Sequence, residues 1–505
     1  MFPMELCYSV DAQFYKDVLE GQHNAEFIKW ATAPAFARKS AIQKNVEVLQ
    51  WNSQQILKQS GIAVSEKLME LKARVLPAPL PCYGTGTDPR PNETGRWNLR
   101  GKKLLKPCKI ESWGMVFFPG QNAGGSIQTF GDALCYALAG AGISLPRRAP
   151  ETLLGNPHGE IEKICVDIMS KASHAFQKMP NILIFVLPSR SERLYRALKN
   201  ICEAKLGIAS QVLCWDKAGR PRGQDQYLAN VAIKVNVKLN GINHELKEEI
   251  FLKKRTMLMG ADVSHPFPAQ LRKNPPPPSF SALVATYDKA CSAYTAIASC
   301  QEATTQMISD FRRMAQEVLE RYKQKNNNLL PEQIFFFRDG LSESEFAQIM
   351  ADEAQPLIDL CKEYAPRAPK ITVIVAIKRH HTRIFPGTNV RGDKNGNVMP
   401  GTVLENSSGH DIFLVAHPGL QGTVRPTRYI VLKDENNLAA DQFQRLVNNL
   451  CWSYARATTA VSLVPPVFYA DQVCSRAKMH VRRMENGTLV LAPPQGNVKY
   501  SMYWQ

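Results

Sequence analysis

No stretch of this sequence is apolar for long enough to cross a membrane. Its longest hydrophobic run, around Ile182 to Leu187, falls far short of the roughly 20 residues that a span requires. The start, MFPMELCYSV, lacks a basic region followed by a long apolar one, so no secretory leader is expected. Its 12 cysteines include no CxxC pair and no Cys/His set at zinc spacing. This argues against a disulfide framework or structural zinc and for reduced thiols inside the cell, and a cytoplasmic location is expected. Internal repeats are also lacking. What is present is ordinary globular composition, 44% hydrophobic and 21% charged, which excludes wholesale disorder and fibrous architectures. At about 150 residues per domain, 505 residues predict two to four domains. The 62 Lys and Arg against 45 Asp and Glu give a net charge of +17, a field suited to a polyanionic partner such as nucleic acid.

Residues 1 to about 75 read as helical, and the Pro- and Gly-rich stretch from Leu76 to Pro107 as an extended linker. Arg96, Arg100, Lys102, Lys103, Lys106 and Lys109 follow one another with no acid between them. A second unit alternates strand and helix: Trp113 to Phe118, Ile127 to Ala141, Asn181 to Leu187, Leu194 to Leu206 and Ser210 to Cys214. That order predicts an α/β sandwich with parallel strands. The third unit, from Phe251, opens with strands at Thr256–Val263, Phe280–Tyr287 and Tyr294–Ser299. A helix from about Thr304 to Lys325, a strand at Gln333–Arg338, a helix at Ser344–Tyr364 and a strand at Lys370–Ile377 follow. Three strands, helix, strand, helix, strand is the order of an RNase H-like domain.

Asp262 and Asp339 each end a strongly apolar strand, where an open α/β sheet places ligands. Singly, each suits a turn; as a pair in this strand order they suit phosphodiester hydrolysis, in which acids hold divalent ions across the attacking and leaving oxygens. Asp471, in PPVFYAD, is a third acid. Tyr195 and Lys199 share one face of a predicted helix, an aromatic plane beside a cation. Lys234 and Lys238 share a face whether VAIKVNVKL is strand or helix.

The strings LMGADVSHP (258–266), FFFRDGLSE (335–343), AIKRHHTRIFP (376–386), HPGLQGTVRP (417–426) and FYADQVCSRAK (468–478) resemble, in order and spacing, the PIWI domain of Argonaute proteins. LPSRSERLYRALK, Gln211 and VAIKVNVKL are similar to that family's MID domain, and RVLPAPLPCYG with RWNLRGKKLL to its second linker. Cys7 to about Arg38 faintly resembles the end of a PAZ domain. The resemblance implies an α/β chain with a Rossmann-like MID domain packed on an RNase H-like PIWI domain. Its expected divisions are 1–112 (PAZ remnant and linker), 113–250 (MID) and 251–505 (PIWI).

Carried over by position, the resemblance implies that Tyr195 stacks on the first guide base, while Lys199, Gln211, Lys234, Lys238 and Arg476 hold the guide 5′ phosphate. Lys378, Arg383, His417, Arg425, Tyr454, Arg456 and Ser462 would line the guide backbone. Asp262, Asp339 and Asp471 would bind Mg (or Mn) and, with a glutamate, cleave target RNA paired to a small guide RNA. Register counting puts that glutamate at neutral Gln306; Glu302, one helical turn upstream, is the charged residue expected to complete the set, moving inward from a segment that is mobile until guide and target are loaded. The rival expectation is a guide-binding scaffold that silences through recruited effector proteins without cleaving. Another RNase H-like nuclease, such as a transposase, would leave the MID motifs unexplained.

Overall fold

The computed structural model describes residues 19, 21–84, 90–118, 127–220, 222–247, 254–272, 274–365, 367–406, 409–483 and 489–505. Cys7 and Phe251, where the PAZ remnant and the third unit were expected to begin, lie outside these. The chain forms two compact units. The smaller comprises Met1–Glu70, Ile384–Val398 and Gly419–Val424. It holds helices α1 (Gly21–Ala31) and α2 (Ala35–Leu49), and α2 is tied to the later segments by Ala35 N to Asn395 O (3.1 Å) and Arg38 Nε to Thr423 Oγ1 (3.1 Å).

The larger unit holds two sheets. In the first, β1 (Trp113–Phe117), α3 (Ile127–Gly140), β2 (Glu151–Leu154), α4 (Ile161–Phe176), β3 (Ile182–Leu187), α5 (Glu192–Lys199), β4 (Ala209–Cys214) and α6 (Gln224–Lys238) alternate. The strands are all parallel in the order β2-β1-β3-β4. All six residues of β3 are buried, as a central parallel strand covered on both faces requires. Strand β2 and helix α4 were not read from the sequence. Helix α5 is capped by Ser191, whose side chain accepts from Leu194 N, and runs into a π-helical turn over Asn200–Lys205. Such turns gather at functional sites.

The second sheet is built from β5 (Thr256–Ser264), β6 (Ser279–Thr286), β7 (Tyr294–Gln301), α7 (Phe311–Lys325), β8 (Gln333–Asp339), α8 (Gln355–Tyr364) and β9 (Lys370–Ile377). Strands β10 (Thr402–Glu405), β11 (Asp411–Val415) and β12 (Thr427–Asp434) follow, then α9 (Ala440–Leu450) and α10 (Pro465–Ala477). From one edge the order is Arg74–Val75, β10, β11, β12, β9, β8, β5, β6, β7. Its core β9-β8-β5-β6-β7, with β8 parallel to both β9 and β5, has the expected RNase H-like order. Helix α7 begins at Phe311, seven residues later than the sequence predicted. One buried apolar cluster joins the two sheets, including Met115, Ile184 and Leu228 from the first and Phe337, Ile374 and Trp452 from the second. Among the described residues no helix is long and apolar enough to cross a membrane.

Candidate functional site: an acid cavity and a buried cation pocket

Strands β5 and β8 run parallel with Arg338 opposite Ala261, so Asp262 and Asp339 emerge at the same end of neighbouring strands. Helix α10 lies directly on β5. A Cβ on Gly260 would stand 2.2 Å from the Pro466 carbonyl carbon, so only glycine permits this approach. That contact delivers Asp471 to a cavity of about 800 Å³ also lined by Asp262, Asp339, His265, Gln306, Arg379 and Arg425. Burial, followed by the charge of Asp262, raises Asp339 to about 7, against Arg338. Burial raises Asp262 too, reinforced by Asp471 and opposed by Arg338. Partial desolvation raises Asp471 against Lys478 and Arg379. Burial, more than mutual repulsion, thus disfavours the charge of all three, although Arg338, Lys378, Arg379 and Arg425 line the same cavity.

Gln306 occupies the remaining corner. Its Oε1 is 3.0 Å from His265 Nε2, and its carbonyl accepts from Arg338 Nη2 at 2.8 Å. Glu302, expected to complete the set, is instead exposed at the turn after β7 and does not line the cavity. The intervening segment is held by side-chain bonds. Gln301 Nε2 donates to the carbonyls of Thr305 and Met307 (both 2.8 Å), Ser279 Oγ accepts from Thr304 N (3.1 Å), and buried Glu353 accepts from Ile308 N (3.0 Å). Side-chain bonds to backbone here replace the helical ladder, which is why α7 starts late and Glu302 is held away.

The second constellation is cationic. Tyr195 and Lys199 on α5, Ser210 and Gln211 on β4, Lys234 and Lys238 on α6, and Arg476 on α10 meet where the two sheets' layers join. The VAIKVNVKL segment is helical, and Lys234 and Lys238 share its face as expected. Lys199 Nζ donates to Ser210 O and Oγ, both at 2.8 Å, and Lys238 Nζ to Ser210 O (2.9 Å) and Gln211 Oε1 (2.8 Å). Arg476 Nη2 donates to the Tyr195 hydroxyl at 3.1 Å, and Nη1 to the Tyr503 carbonyl at 3.1 Å. The Lys199 ammonium lies 5.7 Å from the Tyr195 ring centre. Lys199 and Lys238 are only 1% and 3% exposed. Burial, then the charges of Lys199 and Arg476, pulls Lys238 well below an ordinary lysine. Half-buried Lys234 falls to about 8 through burial, then Arg456 and Lys217. Burial and like charge lower both lysines, and a bound anion would favour their protonated forms.

Of the residues expected along the guide backbone, Lys378 and Arg425 line the acid cavity. Lys378 bonds Ser462 Oγ, while His417 is pushed down to about 3 by burial and then by Lys378. Tyr454 and Arg456 are both held by Gln472 of α10, through Gln472 Nε2 to Tyr454 OH at 2.6 Å and Arg456 Nη1 to Gln472 Oε1 at 3.3 Å. Arg425 lines the acid cavity, and Arg383 donates to the carbonyls of His380 (3.2 Å) and Thr382 (2.8 Å). A smaller cavity of about 390 Å³ along β7 holds none of the predicted site residues.

Family models match the chain in three places: the Piwi domain over residues 182–482, the Argonaute linker 2 domain over 37–83 and the Mid domain of argonaute over 90–171. The chain belongs to the Argonaute family. The protein argonaute of Schizosaccharomyces pombe is 35% identical over 489 residues, covering 95% of this chain and 58% of that protein. The chain thus spans little more than half of that relative. Among solved structures, the C-terminal lobe of a budding yeast Argonaute matches with TM-score 0.74 at 24% identity, covering 86% of this chain and 95% of that one. Kluyveromyces polysporus Argonaute with a guide RNA matches with TM-score 0.80 at 22% identity, covering 98% and 60%. At these identities the structures show the fold: a MID layer packed on an RNase H-like PIWI layer.

Several residues of this Argonaute-family chain's site were not read from the sequence. Glu203, 1% exposed in the π-helical turn, is ion-paired with both Lys199 (3.3 Å) and Arg476 and lies 3.0 Å from His480 Nε2. Burial works against its charge, but Arg476, Lys199 and His480 together hold it below the usual carboxylate range. The spacing of Lys199 and Glu203, four residues apart, was the one available signal. Gln472 and Ser210 act through side-chain and carbonyl bonds that no sequence pattern marks.

Among the described residues no three His, Cys, Asp or Glu side chains converge closely enough to hold a metal ion unaided. The donor chemistry nevertheless fits Mg. It is commonly held by one or two carboxylates, with water and substrate phosphates completing the shell, and three mutually destabilising aspartates face one open cavity.

Proposed function

We propose that this chain binds a small guide RNA by its 5′ phosphate and cleaves the complementary RNA strand. The observation that carries this reading is the cation pocket: Lys199, Lys238 and Arg476 gather around a single acid, Glu203, with Lys234 one helical turn before Lys238 and Tyr195 beside them as a stacking plane. Charge-assisted bonds from several fixed donors suit a terminal phosphate, which carries more charge than an internal phosphodiester. Lys378, Arg383, His417, Arg425, Tyr454, Arg456 and Ser462 guide the backbone without reading sequence, which base pairing supplies. Asp262, Asp339 and Asp471 would hold the divalent ions, Mg or Mn. When bound, these would polarise the scissile phosphodiester and stabilise the charge that develops on its oxygens. The protein's own part is to fix the three carboxylates on β5, β8 and α10 at one cavity. Within this reading residues 113–250 are the MID domain, 251–505 the PIWI domain and 1–112 a PAZ remnant with linker, working in the cytoplasm.

A second reading, a guide-loaded scaffold that silences through recruited effector proteins, is favoured by Gln306. A neutral amide in the fourth corner adds no charge to ions already short of it. Single-turnover cleavage of a matched target by protein loaded with a 5′-phosphorylated guide, with Mg²⁺, separates the two. A single cut supports the nuclease. No cut in the native chain but cutting by Gln306→Glu supports the scaffold. Glu302→Gln should leave the result unchanged in either case.

A further inference from the structure

The basic run from Arg96 to Lys109 contributes no residue to the acid cavity or the cation pocket. Its backbone forms a strap, pinned from Lys103 onward. Gly84 N donates to Lys103 O (2.9 Å), Leu104 N to Ala141 O (2.9 Å), Leu105 N to Asn243 O (3.0 Å), and Lys106 and Ile242 exchange both backbone bonds at 2.9 Å. Cys108 N donates to Asn236 Oδ1 (2.7 Å), and Ile110 N to Ser144 O (2.8 Å). Leu104, Cys108 and Ile110 turn into the core, while Lys103, Lys106 and Lys109 stay exposed, as do Arg96 and Arg100. Lys109 is paired with Glu111 at 2.7 Å. Arg96, Arg100, Lys103 and Lys106 have no acidic partner among the described residues.

A fixed row of like charges with no counter-charge raises local potential and attracts polyanions. Lys103 and Lys106, the unpaired charges on the pinned part, lie three residues apart on a non-helical strap, about 10 Å at the rise of an extended chain. Exposed heads strung out along a pinned backbone, with Arg100 and Arg96 preceding them, suit a succession of phosphates better than one small anion. We propose that this strap is a second nucleic-acid contact, a track for the phosphodiester backbone of single-stranded RNA that does not depend on a 5′ phosphate. It does not rest on the guide-binding reading.

The test is binding of a 5′-hydroxyl oligouridylate of roughly 30 nucleotides, long enough to occupy such a track, to the full chain across a series of salt concentrations. It compares the native chain with Arg100→Gln/Lys103→Gln/Lys106→Gln, which keeps the exposed stems. Three lost phosphate contacts at about 0.7 each should lower the slope of log affinity against log salt by about 2, with about a tenfold loss of affinity at moderate salt. The charge-keeping Arg100→Lys/Lys103→Arg/Lys106→Arg should behave as the native chain. The preference of a short guide for its 5′ phosphate, measured on the same proteins, should not change; its absence from the native chain would overturn the pocket reading alone. An unchanged salt slope in the triple Gln variant overturns the track. So does a loss confined to anionic phosphatidylserine vesicles or polyglutamate, which would make the strap a membrane or acidic-protein contact.

Discussion

The cation pocket and the acid cavity are opposites in more than sign. Lys199, Lys238 and Arg476 are buried among their own partners, with Ser210, Gln211, Glu203 and two main-chain carbonyls accepting their protons before any ligand arrives. Asp262, Asp339 and Asp471 face one another with little to accept from, and Arg338, the nearest buried cation, is already engaged by Glu353 at 2.9 Å. A site whose cations are already hydrogen-bonded in place is pre-organised for binding. One whose charges repel is destabilising and waits for a counter-ion, as catalytic sites commonly are.

The largest break in that contrast should come from Asp262→Ala: a cleavage rate about three orders of magnitude lower, about 4 kcal/mol on the barrier, with guide affinity within about twofold in equilibrium binding. Lys199→Ala should do the reverse. It should reduce the preference for a 5′-phosphorylated over a 5′-hydroxyl guide by about 1.5–3 kcal/mol, roughly 10- to 150-fold, in paired titrations. Since the free protein's Lys234 titrates near 8 and phosphate favours its protonated form, affinity for the phosphorylated guide should fall as pH rises from 7 to 9. The loss should be about tenfold at most, and Lys234→Arg, charged throughout, should flatten the profile. The smallest effect sharpens the comparison from the folding side. Asp339 keeps its proton up to about 7 in the folded chain and loses it near 4 when unfolded. Folding therefore takes up a proton between those values, and its contribution to stability declines as pH rises through them. Asp339→Asn should remove that decline and raise Tm above pH 7 by about 2–4 °C, about 1 kcal/mol, in thermal melts without divalent ions.

The sequence showed most of what rests on apolar periodicity and ordered motifs: β3, β5, β8 and β9, the parallel first sheet, and the strand-end aspartates. It was silent on β10 to β12, whose short segments are separated by Gly- and Pro-rich turns, and it began α7 too early because Gln301, Ser279 and Glu353 satisfy the backbone of residues 304–308 in helix's place. Glu203 was hidden for a related reason. Nothing in NICEAKLGI announces a buried carboxylate, since its partners Arg476 and His480 lie more than 270 residues away.

Helix α10 carries Asp471 into the cavity and, five positions on, Arg476 into the cation pocket. At about 1.5 Å and 100° per residue, the two side chains leave the helix about 140° apart and about 7.5 Å along it. On the proposed function, one rigid rod would therefore act as a gauge block between the anchored end of a bound strand and the place where its partner would be cut. Inserting a single residue between Asp471 and Arg476 would turn one end by about 100° relative to the other. Holding and cutting could each survive such a change, but the measured distance between them could not.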